Sequence, residues 1–321
     1  LTVEHTNKAE YGYRLLAHTE PLAVKASTPI VTKFQDVPCA LQTMIWSCMF
    51  HLQANIPGTV QQIDEEYLHQ VRVALRRLRI LLSMAETFRT DVELSALHTQ
   101  VAELSIELGR LREWDVFVTQ VLTPFLPQLS KQAGSHLILA SEKLRGQHQV
   151  NVVTKLQSQE YQRLVLRLGA WMHCEYWSKQ NIVDLPLVQF AQEILNLHYQ
   201  RVSKRGKQFD TAYPKQLHKL RISCKKLRYS AGIFAPLFDK NKANNFQSDL
   251  ALLQECLGTL NDYTVSLHQL DELDAQAQQS PSLLIATLKI RGWVKHQYID
   301  QCNNLNKVWK KFSKQATFWQ D

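Results

Sequence analysis

A basic cassette of eleven residues occurs twice, 149 residues apart, and constrains the fold more than any other feature of the chain. The first copy, HQVRVALRRLR at 69–79, carries His69, Arg72, Arg76, Arg77 and Arg79. The second, HKLRISCKKLR at 218–228, carries His218, Arg221, Lys225, Lys226 and Arg228 at the same spacing. Two further pairs share the offset: LGRLREWDV at 108–116 with LGTLNDYTV at 257–265, and a helix beginning near Pro38 with one beginning near Leu187. Three elements at one offset read as a tandem of two similar units.

The rest of the chain favours helix. Glycine and proline number only ten each in 321 residues, while Leu, Ala, Gln, Glu and Lys abound. The pattern predicts helices at about 35–55, 64–88, 91–111, 113–122, 132–157, 159–179, 186–209, 213–235, 242–257, 261–276 and 282–316. Asp64 suits the N-cap of the first cassette helix, with Glu65 and Glu66 in its first turn. Pro214 suits the first position of the second. Residues 1–33 are Pro-punctuated and lack helical periodicity, and read as a strand or two followed by a linker. The expected fold is therefore all-α: two pseudo-symmetric helical bundles, about 34–182 and 183–317, behind a short non-helical segment.

On a helical wheel His69, Arg72, Arg76 and Arg79 share a stripe about 80° wide. Val71, Ala74, Leu75, Leu78, Leu81, Leu82 and Ala85 fall opposite, as a core face. Arg77 lies across the stripe from Arg79. The second copy puts His218, Arg221, Lys225 and Arg228 on its stripe and Leu220, Cys224, Leu227, Ala231 and Phe234 on its core face. The two windows hold four and five Lys/Arg and no Asp or Glu, +9 together, whereas the whole chain is +8. Like charges at these spacings repel and weaken a helix. A polyanion lying along the stripe offsets that repulsion, and arginine's planar fork suits phosphate. A weaker basic run, Arg201, Lys204, Arg205 and Lys207, precedes the second cassette.

Gly109 and Gly258 read as sites of close packing or helix ends. Arg112, Glu113, Asp115, Asn261 and Asp262 read as capping and inter-helix hydrogen-bonding groups near a helix junction. The six cysteines, Cys39, Cys48, Cys174, Cys224, Cys256 and Cys302, form no CxxC pair and read as reduced thiols of a cytoplasmic protein. No apolar run is long enough to span a membrane, and LTVEHTNKAEYG does not read as a signal peptide. No converging carboxylates, Walker loop, HExxH motif or nucleophile spacing marks a catalytic or metal site, so no cofactor is expected.

With these residues the chain resembles a CHAD domain, the conserved-histidine α-helical domain, over about 34–317. The resemblance rests on LHQVRVALRRLR, LHKLRISCKKLRY and the two LG-x-L-[RN]-[ED] segments in the expected order. Glu113 stands where that family more usually has aspartate. The likeness implies two helical bundles that bind inorganic polyphosphate along a basic surface. It matches His69, Arg72, Arg76, Arg77, Arg79, His218, Arg221, Lys225, Lys226 and Arg228 to phosphate-contacting positions, with Arg201, Lys204, Arg205, Lys207 and Tyr229 as additional candidates. NKAEYGYRLL followed by PLAVKAS is similar to the end of a CYTH, or triphosphate tunnel, domain. With a start at Leu1, that likeness reads as the C-terminal part of a longer polypeptide with a covalently linked CYTH domain.

The expectation is thus a non-catalytic polyphosphate-binding module. One alternative is non-specific binding of an RNA backbone, although neither window holds an aromatic for base stacking and only Tyr229 follows one. Another is an accessory domain of an inorganic triphosphatase or polyphosphatase.

Overall fold

The computed structural model describes residues 22–27, 29–87, 91–173, 177, 185–276 and 280–320. Its helices are α1 (Val37–Val60), α2 (Glu65–Ala85), α3 (Val92–Phe117), α4 (Lys131–Gln157), α5 (Gln159–His173), α6 (Leu187–Gln208), α7 (Pro214–Phe234), α8 (Lys240–Gln276) and α9 (Pro281–Phe312). The fold of the described residues is all-α, without a strand, and no helix among them is long and apolar enough to cross a membrane.

The cassette helices start and face as their sequence dictates. Asp64 caps α2 by accepting from the Glu66 amide at 2.8 Å, satisfying an N–H that the first turn otherwise leaves without a partner. Pro214 opens α7. Every residue assigned to the two core faces is buried, from Val71 to Ala85 in α2 and from Leu220 to Phe234 in α7.

Two expected helix breaks do not occur. Helix α3 runs through Gly109 and continues by a π-helical stretch, Val118–Leu122, and a short turn to Gln128. Helix α8 runs unbroken through Gly258 for 37 residues. A helical glycine costs about 1 kcal/mol, and burial on both sides outweighs it. Leu104, Leu108, Leu111 and Trp114 continue one buried line along α3, and Leu250, Leu253, Leu257 and Leu260 do so along α8. The motif polar groups therefore sit in mid-helix, not at a junction.

The N-terminal strands expected within residues 1–33 fall among residues described only from 22 onward. Residues 7–16, which carry part of the CYTH likeness, lie outside the described residues. From residue 22 the described backbone up to α1 carries no strand, and turns at residues 33–35. Asn55 of α1 fastens it: Oδ1 accepts from the Val24 amide at 2.9 Å and Nδ2 donates to the Val24 carbonyl at 3.0 Å. His51 Nε2 donates to the same carbonyl at 3.0 Å, and Ser47 to the Ser27 carbonyl at 3.3 Å. Val31 is buried.

The chain divides into two compact units. One comprises the described part of Leu1–Arg112 with His148–Leu187, and the other Glu113–Gln147 with the described part of Val188–Asp321. Division by contact thus differs from division by repeat near residues 182–183, because α3 and α4 are each split between the units. In the second unit the C-terminal part of α3 (Trp114, Phe117) and the N-terminal part of α4 (Leu137, Leu144) share a core with Leu270 and Leu273 of α8 and Ile290 and Val294 of α9. In the first unit α1 and α2 approach so closely that a Cβ at Gly58 would fall 2.3 Å from the buried Tyr67 ring. Gly58→Ala should therefore destabilise the protein by about 2 kcal/mol. Gly146→Ala, where a Cβ meets nothing within 4 Å, should stabilise it by about 0.5–1 kcal/mol. Urea unfolding of the two variants checks both signs.

Candidate functional site

In the first unit α2 presents His69, Arg72, Arg76 and Arg79 half-exposed, opposite its buried face. Arg72 reaches across to α3, where Nη1 donates to the Ser105 carbonyl at 3.3 Å. It lies over Gly109, where a Cβ would come within 2.8 Å of that nitrogen. Gly109 is thus the seat for a guanidinium, which accounts for the glycine in LGRL. Gly258 has nothing comparable within 4 Å. Arg112 of α3 turns toward the start of α2, donating from Nη1 to Glu65 Oε2 at 3.0 Å. His69 is held below the usual imidazole range by burial first. Glu66 opposes that shift, and the charges of Arg112, Arg76 and Arg72 reinforce it. Three guanidiniums from two helices therefore act on one imidazole.

Arg77 is not on this surface. It is 6% exposed, its charge acts on Cys48 and His51 of α1, and its Nη1 is buried with no hydrogen-bond partner among the described residues. Its place on the wheel, between stripe and core face, turns it into the side of α2 that packs on α1.

In the second unit His218 and Arg228 are exposed on α7, and Arg221, Lys225, Lys226 and Tyr229 are half-exposed. His218 Nδ1 hydrogen-bonds Asn261 Oδ1 of α8 at 3.0 Å. The residue 43 positions beyond each cassette histidine thus acts on it, Asn261 on His218 and Arg112 on His69. Of the basic run on α6, Arg201, Lys204 and Lys207 are exposed. Arg205 is a strut: Nη1 donates to the Lys219 carbonyl at 2.8 Å and to Ser223 Oγ.

Of two buried polar groups here, Asp115 plays the inter-helix role read from its motif, and His198 escaped the sequence pattern. Asp115 is buried and accepts from Arg145 Nε at 2.7 Å, tying α3 to α4. His198 of α6 is buried beneath the basic face, with Nδ1 2.8 Å from Ser230 Oγ. Ser230 donates its own proton to the Lys226 carbonyl, so Nδ1 of His198 is the donor of that pair. Burial, then the charges of Lys226 and Arg201, push His198 down to about 4. A histidine in register with Ile194, Leu195 and Val202 on the buried face of α6 was the available signal.

The buried thiols of Cys48 and Cys224 are pushed up by burial and stay protonated at neutral pH. Among the described cysteines Cys39 is exposed and Cys48, Cys224, Cys256 and Cys302 are buried; all five are free, and Cys174 lies outside the described residues. No three His, Cys, Asp or Glu side chains converge as metal ligands among the described residues. The arrangement offers fixed positive charge and hydrogen-bond donors on two helices, the chemistry of anion recognition.

The family model for the CHAD domain matches residues 43–271. The chain belongs to the CHAD domain family. The crystal structure of the CHAD domain from the plant Ricinus communis superposes with a TM-score of 0.78 at 27% identity, covering 89% of this chain and 95% of that one. PptA from Streptomyces chartreusis shares the fold, with a TM-score of 0.69 at 10% identity over 86% of this chain and 100% of that one. No curated protein matches the chain.

The buried CHAD histidine His198 makes stability depend on pH. Its folded pKa lies below the unfolded value of 6.5, so below pH 6.5 the unfolded chain takes up a proton that the folded protein refuses down to about pH 4. Stability should fall through that window, by about 2 kcal/mol from this residue at pH 5. His198→Asn should flatten the loss between pH 7 and 5, as read from denaturant midpoints.

Proposed function

We propose that this CHAD domain is a non-catalytic binding module for inorganic polyphosphate, held along the basic stripes of α2 and α7. The observation that carries the reading is the cluster at His69. Arg72, Arg76 and Arg112, from two helices, crowd one half-buried imidazole, and an anion lying against them would offset the mutual repulsion of their charges. The second cassette, with His218, Arg221, Lys225, Lys226 and Arg228, supports the same reading by its identical spacing. Arg201 joins it, since its charge and that of Lys226 act on the same His198. Arg77 belongs to the α1–α2 packing and is left out of the contact set.

Charge reversal at Arg76 and Lys225 together should abolish polyphosphate binding at physiological salt and leave helicity intact, as read by a binding titration beside circular dichroism. Retained binding would remove the site assignment. Polyphosphate should also displace labelled RNA, and RNA should displace polyphosphate poorly; the reverse order would favour a nucleic-acid backbone as the ligand. Phosphate release on adding magnesium or manganese would show catalysis instead.

Arg77→Met should leave polyphosphate affinity within about twofold of wild type. It should hold or raise stability, because a buried charge is replaced by an apolar chain of similar length. A loss of affinity equal to that of an Arg76 variant would put Arg77 back among the ligands.

A further inference from the structure

We infer that Glu65 is an internal competitor for the anion: its carboxylate holds Arg112, and a phosphate takes its place on binding. The inference rests on the polyphosphate reading and extends it to a residue of opposite charge.

Arg112 comes from α3, yet its charge acts on His69 at one end of the α2 stripe. Its Nη1 donates to Glu65 Oε2 at 3.0 Å. Both side chains reach solvent, 22% and 45% exposed, so an incoming ligand meets the pair directly. Glu65 offers this guanidinium a single charge-assisted bond among the described contacts. A phosphate can offer two oxygens to the fork at once. Exposed ion pairs are weak and easily exchanged, and the phosphate brings its neighbours in the chain onto Arg72 and Arg76. Glu66, one residue on, is engaged differently: its Oε1 accepts from Gln70 Nε2 at 2.6 Å. The acidic first turn of α2 therefore does two things. It favours the helix start through the dipole, and through Glu65 it holds one cation of the site back from weak anions. A lone phosphate must displace the carboxylate with one contact in hand, whereas a chain does so while anchored elsewhere.

The test compares Glu65→Gln with Glu66→Gln, which removes the same charge from the same turn without touching Arg112. Calorimetric titration with long-chain polyphosphate and with orthophosphate is run on both and on wild type. Glu65→Gln should bind polyphosphate about two- to fivefold tighter, gain proportionally more for orthophosphate, and exceed Glu66→Gln in both. Equal gains from the two variants, or no gain from Glu65→Gln, would overturn the inference while the binding reading stands. Wild type that binds no polyphosphate would overturn both. Glu65→Ser, with melting temperatures beside it, separates a binding effect from a loosened helix start.

Discussion

Four basic side chains can be held on one side of a helix only because the other side is clamped. In α2 the repulsion among Arg72, Arg76 and Arg79 is opposed by the burial of Val71, Ala74, Leu75, Leu78, Leu81 and Leu82. Each such side chain contributes on the order of 1–3 kcal/mol, well above the few tenths lost to each like-charge pair. Helix α7 repeats the balance with Leu220, Cys224, Leu227, Ala231 and Phe234. Neighbouring helices support this arrangement. Helix α3 accepts Arg72 on its backbone beside Gly109, and α6 props α7 with Arg205.

The balance also decides which basic residues can meet a ligand. Position on the wheel sorts neighbours that sequence alone treats alike. Arg76 faces out, and Arg77, one residue on, is drawn into the α1 side beside Cys48 and His51. The histidines sort in the same way. His218 is open to solvent, His69 is half-buried among guanidiniums, and His198 is covered and neutral. A polyphosphate module built on these surfaces would use exposed charge for capture and leave the covered groups to hold the helices in register.

Much of this was legible in the sequence because it is local and periodic. The core faces of α2 and α7, the Asp64 cap and the Pro214 start follow from spacing within a few turns. The missed features depend on distant partners. Whether Gly109 and Gly258 end a helix is decided by leucines buried on both sides of them, not by glycine's own preference. Asn55 fastens Val24 from 31 residues away, and Arg112 meets Glu65 across 47. No pattern within one helix announces either contact. The boundary between the two compact units was equally hidden, since α3 and α4 are each split between them.

The most direct measurement of the central claim is the affinity of the wild-type protein for long-chain polyphosphate as a function of salt. Many simultaneous phosphate contacts release many counterions, so the logarithm of the affinity should fall linearly and steeply with the logarithm of salt concentration, by tenfold or more between about 0.05 and 0.2 M. Binding that is absent at low salt, or that hardly changes across that range, would contradict polyanion binding by these stripes.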